Sequence, residues 1–83
     1  MSQIKITKSN YGSIEQIVVS SAEFGREALL TRFTGQRTWV MRGGYIGDST
    51  LNIVGYDGDK TNFLKSDALQ LARNWVERGQ DFL

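Results

Sequence analysis

Between Ser66 and Gly79 the apolar residues Ala68, Leu69, Leu71, Ala72, Trp75 and Val76 recur at a spacing that gathers them on one side of an ideal α-helix. Ser66 suits an N-cap, Asp67 places negative charge where the helix dipole favours it, and Arg78 with Gly79 supplies a favourable last turn and a stop. A chain of 83 residues has room for one modest core. A helix face this broad must therefore furnish much of it, and one domain over residues 1–83, closed by this helix, is expected.

What the helix packs against is read from the residues before it. Ile4 and Ile6 alternate with Lys5 and Thr7 across Gln3–Lys8, the period-two pattern of a strand with one buried face. Ser9-Asn10-Tyr11-Gly12 is a turn cluster. Ile14–Ser20 follows with Ile17, Val18 and Val19, which favour a pleated surface, so an N-terminal hairpin is expected.

From Ser20 to Gly35 two readings compete. Ser20-Ser21-Ala22-Glu23 resembles a capping box, and Ala22 to Arg32 is rich in helix formers, which makes a second helix the preferred reading. Against it, Phe24 and Ala28 fall opposite Ala22, Leu29 and Phe33 on a helical wheel, and Gly25 costs about 1 kcal/mol relative to Ala inside a helix. The rival is a strand with Leu29, Thr31 and Phe33 on one face, turning at Thr34-Gly35-Gln36.

Arg37–Arg42 reads as a strand, although its faces are not cleanly apolar and polar. Gly43-Gly44-Tyr45-Ile46-Gly47-Asp48-Ser49 reads as the most mobile loop. Thr50–Tyr56 and Lys60–Leu64 flank Asp57-Gly58-Asp59, a hairpin signal. The expected class is α+β: a small antiparallel sheet of about five strands packed against the C-terminal helix and a second helix.

Composition narrows the chemistry. With no Cys, disulfides, thiol catalysis and cysteine-ligated zinc are excluded, and a reducing cytoplasm is the expected home. The opening MSQIKITK lacks the apolar core of a signal peptide, and no run is long enough for a membrane span, so no membrane partner is expected. With no His either, the commonest general base is missing, and a non-enzymatic protein is expected.

Asp57, Asp59 and Thr61 have the alternate spacing of a calcium loop, but Asn62 stands where an EF-hand needs Gly and Ala68 where it needs Glu. Gly44-Tyr45-Ile46-Gly47 matches the GXXG of KH domains, with bulky middle residues and no helix pair around it. No Walker sequence occurs, and Gly43-Gly44 lacks the rest of a dinucleotide fingerprint. No metal and no cofactor are expected.

The most suggestive constellation is Arg26, Arg32, Arg37 and Arg42 interleaved with Phe33 and Trp39. Arginine grips carboxylates and phosphates bidentately, and aromatics stack on bases or fill a partner's pocket. The competing reading makes Phe33 and Trp39 core and the arginines solvated. Tyr11, Tyr45 and Tyr56 lie in or beside turns, where an aromatic is often exposed enough to meet a partner. Arg32, Arg37, Arg42, Tyr45, Tyr11 and Tyr56 are thus the candidate partner-binding residues. The formal charge of +1 is far from that of a dedicated nucleic-acid binder, although the first half of the chain leans basic and the second acidic.

In format, a cysteine-poor chain ending in the strand–hairpin–helix run Leu51–Gly79 resembles the small phage and mobile-element inhibitors of the anti-CRISPR type. The resemblance implies a protein or ribonucleoprotein target and inhibition of a host defence complex by protein–protein contact. Those inhibitors share no motif, and no functional residue is carried over from them. Many are acidic DNA mimics, which the charge here does not match. The alternative function is a small nucleic-acid-binding module using the Arg and aromatic stretch.

Overall fold

A computed structural model of the chain describes residues 4–48, 51, 53–56 and 59–79. Five strands precede one helix: β1 (Ile4–Tyr11), β2 (Ile14–Ser21), β3 (Arg26–Phe33), β4 (Val40–Tyr45), β5 (Ile53–Val54) and α1 (Lys65–Arg78). Every strand pairs antiparallel with its neighbour in sequence, giving the sheet order β1-β2-β3-β4-β5. The α+β expectation holds, but it is reached with a single helix among the described residues.

The second helix preferred for Ala22 to Arg32 is a strand. Only Ala22 to Gly25 turn, with Gly25 at φ 66°, a left-handed angle that glycine adopts without strain. β3 then runs from Arg26 to Phe33, paired with β2 on one side and β4 on the other. A helix here would bury one stripe of mixed size. The strand instead sends Ala28 and Leu30 inward, both fully buried, and gains two ladders of backbone hydrogen bonds. Tertiary pairing overrides local helix propensity.

Other boundaries move for similar reasons. The turn after β1 tightens to Gly12-Ser13, since Tyr11 still pairs with Ile14. Gly43, Gly44 and Tyr45, expected in a mobile loop, belong to β4, and both glycines are buried. The strand expected at Arg37–Arg42 starts only at Val40, and Trp39 instead makes a bridge with Phe63, each backbone N–H donating to the other's carbonyl at 2.7 and 2.9 Å. Strand Thr50–Tyr56 contracts to Ile53–Val54, and single bridge positions at Lys60 and Phe63 are what remain of the strand at Lys60–Leu64. Gln3, Ser49, Thr50 and the Asp57-Gly58 turn lie outside the described residues. The helix begins two residues early: Leu64, not Ser66, occupies the N-cap with no side-chain cap, and Ser66 falls inside the first turn with Asp67. Gly79 ends it in the left-handed conformation, as expected.

Helix α1 lies across β3, β4 and β2 and does not reach β1. Beneath it Ile17 and Val19 of β2, Ala28 and Leu30 of β3, and Met41 of β4 meet Ala68, Leu71, Ala72, Trp75 and Val76, with Trp39 and Phe63 closing one end. Each of the larger aliphatic and aromatic side chains buried here contributes roughly 1.5–3 kcal/mol, and each alanine less. Trp75 anchors the layer. Its indole N–H donates to the carbonyls of Glu27 at 3.0 Å and Gly44 at 3.1 Å, and Tyr45 meets its ring edge-on at 5.6 Å. On the same layer Ser21 is fully buried, and its hydroxyl has no hydrogen-bond partner among the described residues. Leaving a hydroxyl unsatisfied costs about 1–3 kcal/mol. Ser21→Ala is therefore expected to leave stability unchanged or raise it by up to about 1 kcal/mol. A loss of more than that in denaturant melts would mean that the hydroxyl is satisfied in solution.

Candidate functional site

The central strands carry apolar residues on both faces. In β2 they are Ile17, Val18 and Val19, in β3 Ala28, Leu29 and Leu30, and in β4 Val40 and Met41. Since successive side chains of a strand point to opposite faces, each run splits between them. Ile17, Val19, Ala28, Leu30 and Met41 go under α1. Ile14, Val18, Leu29, Phe33 and Val40 go to the other face, which no described element covers. Such two-sided patterning is ordinary for a sheet covered on both sides. Here only one side is covered by the described residues.

Register fixes how the uncovered residues meet. Directly opposed residues in antiparallel strands share a face. One row runs Thr7, Val18, Leu29, Arg42, Val54 across all five strands, and a second runs Tyr11, Ile14, Phe33 across the first three. Between them Gln16, Thr31 and Val40 form a third. Ile14, Val18, Leu29 and Val40 are half-buried by one another, whereas Phe33 is 56% and Val54 41% exposed. Ile14, Leu29, Phe33, Val40 and Arg42 line a depression of about 320 Å³ on this face. Arg42 is exposed within it and forms no ion pair with the described residues.

The candidate residues read from the sequence do not form one patch. Arg42 and Tyr11 lie on the uncovered face, Tyr11 at 63% exposure. Arg37 is exposed in the β3–β4 connection. Tyr45 is on the helix side of β4, half its surface open and its ring against Trp75. Tyr56 follows β5 and is 44% exposed. Arg32 faces the helix side, where its Nε and Nη2 donate to the Glu15 carboxylate at 3.0 and 3.3 Å and its Nη1 donates to the Gln36 carbonyl at 2.9 Å. Its guanidinium also covers the Trp39 ring at 4.6 Å. Arg26 is likewise engaged, donating through Nε to the Trp75 carbonyl at 2.9 Å. The two aromatics of the basic stretch part company, since Trp39 is buried and Phe33 is open.

Sequence reasoning missed Ile14, Val18, Leu29 and Val40 as surface residues. A signal was present in the adjacent apolar pairs Val18-Val19, Leu29-Leu30 and Val40-Met41, which no strand can bury on one face. No described helix is long and apolar enough to cross a membrane. No protein-family model, no curated protein and no solved structure matches the chain.

Proposed function

We propose that this chain is a non-enzymatic binding protein that acts by protein–protein contact, docking the uncovered face of its sheet on a protein that presents apolar side chains and a carboxylate. The observation that carries the reading is the apolar face Ile14, Val18, Leu29, Phe33 and Val40, with the guanidinium of Arg42, which has no ion pair among the described residues, set among them. Four strands about 4.8 Å apart and three rows about 7 Å apart give a face of about 400 Å², its polar residues included. That suits the centre of a standard interface, which buries about 800 Å² per partner. Exposed apolar patches of this extent commonly mark interaction sites, and Arg and aromatic residues commonly dominate their energetics. The carboxylate follows from Arg42, whose charge is costly to cover unpaired.

The lack of His and Cys supports a role without catalysis. The likeness in format to small phage-encoded inhibitors extends the proposal to occlusion of a surface on a host defence complex, in the cytoplasm. A nucleic-acid module would want free Arg and open aromatics on one surface, and here Trp39 is buried and Arg32 is engaged by Glu15 and the Trp39 ring.

The test begins with capture by the tagged chain from its host, treated with nuclease, and reconstitution of the complex from purified parts. Phe33 and Arg42 are exposed, so Phe33→Ala and Arg42→Glu should shift stability by only about 0.5 kcal/mol. Each should weaken the complex ten-fold or more, the loss expected at a central anchor worth about 1.4 kcal/mol or more. Undiminished affinity in both variants would overturn the proposal. So would concentration-dependent dimerisation that buries this face, or binding that nuclease abolishes.

A further inference from the structure

On the helix side, beyond the reach of α1 over β1, a second depression of about 300 Å³ is lined by Lys8, Glu15, Arg32, Trp39 and Lys65. Three elements bring its basic side chains together. Lys8 lies on the helix-side face of β1, opposite Ile17, and Arg32 lies on the same face of β3, opposite Glu15. Lys65 is the first residue of α1, held there because Phe63, two residues earlier, is stapled to Trp39 by paired backbone hydrogen bonds.

The charges in this depression are not balanced. Glu15, its only acid, is engaged bidentately by Arg32, which also covers Trp39. That leaves Lys8 and Lys65 without an ion pair among the described residues. The charge of Lys8 above all, with smaller contributions from desolvation and Arg32, holds the Lys65 pKa below the ordinary lysine value, against the opposing pull of Glu15. Long lysine side chains on an open surface would be expected to swing apart. A group that accepts hydrogen bonds from both turns this repulsion into attraction.

We propose that this depression is a binding site for a phosphate group of a small molecule, gripped between Lys8 and Lys65 with the Arg32 guanidinium behind them. Three cations against one carboxylate leave an excess of two positive charges, which matches a phosphomonoester dianion better than a single carboxylate. Its volume is at the low end for ligand pockets. The face of Trp39 that could stack a base is already taken by Arg32, so the phosphate rather than an attached base is what is recognised. The two depressions border one another at Gln16 and Arg32, which line both, but the gripping residues Lys8 and Lys65 lie on the helix side, so each proposal can fail without the other.

Titration of the isotopically labelled full chain with inorganic phosphate, and separately with phosphoserine, tests it against sodium chloride at matched ionic strength. Saturable one-to-one shifts of the Lys8, Glu15 and Lys65 amide signals are expected, with Val18, Leu29 and Val40 unmoved. Lys8→Gln and Lys65→Gln should each weaken binding about ten-fold. Their melting temperatures should hold or rise, because each removes a like-charge contact. The proposal is overturned if sodium chloride reproduces the shifts, or if the double variant binds as tightly as the parent. It is equally overturned if a short single strand of DNA binds far more tightly, with the steep salt dependence of a row of phosphate contacts.

Discussion

Trp75→Ala is expected to lower stability by about 3–5 kcal/mol, the range for truncating a large buried aromatic. Small domains often have only ~5 kcal/mol in total, so the variant should be largely unfolded near its parent's midpoint. Two features set the size of the effect. Trp75 is only 3% exposed and packs between the helix and the sheet. Its indole N–H donates to the carbonyls of Glu27 and Gly44 together, joining the helix to β3 and β4. Trp75→Phe separates packing from hydrogen bonding, since it keeps most of the apolar surface and removes the N–H that the two carbonyls share, and it should cost about 1–3 kcal/mol. Urea melts of the three proteins decide the matter. For a domain of this size 1 kcal/mol shifts the melting temperature by about 4–8 °C. An alanine variant melting within a degree or two of the parent would mean that α1 does not close the core.

The second large effect is expected at a residue with no side chain. Gly43 lies in β4 directly under the indole, where a Cβ would stand 2.8 Å from both Cδ1 and Nε1 of Trp75 and 3.1 Å from Cε2. The ring cannot retreat without losing its two acceptors, so Gly43→Ala should cost about 1–3 kcal/mol by overpacking and the larger Gly43→Val more. Because the clash is with one side chain, the two positions should couple. Most of the Gly43→Ala penalty should vanish in a Trp75→Ala background, giving an interaction energy on the order of 1–3 kcal/mol in a double-mutant cycle. Additive losses would show that Gly43 is required for another reason.

These two residues also show where the sequence was legible. The spacing of Ala68, Ala72, Trp75 and Val76 identifies the helix and its buried face, because an amphipathic helix is a local pattern. The first hairpin is legible for the same reason. Gly43-Gly44 misled, since two adjacent glycines suit a loop as well as a strand that must admit an indole, and only the position of Trp75 decides between them. The stretch from Ala22 to Arg32 misled because helix propensity is local whereas the pairing of β3 with β2 and β4 is not. The candidate site was half visible. Arg42 and Tyr11, picked by residue type, lie on the uncovered face, but which apolar residues stay uncovered depends on where a single helix can reach across five strands. Arg32 has the right chemistry for a partner, yet the register aims it at Glu15.

The central claim is that one face of the sheet holds the fold and the other is for a partner. Adjacent residues report on the two faces separately: Val18, Leu29 and Val40 on one, Val19, Leu30 and Met41 on the other. Methyl spectra of the labelled chain, recorded as the reconstituted partner is added, therefore carry their own control. The account predicts large shifts or broadening at Val18, Leu29 and Val40, with Val19, Leu30 and Met41 nearly still. Perturbation confined to Val19, Leu30 and Met41, or a stoichiometric complex that leaves Val18, Leu29 and Val40 untouched, would contradict it.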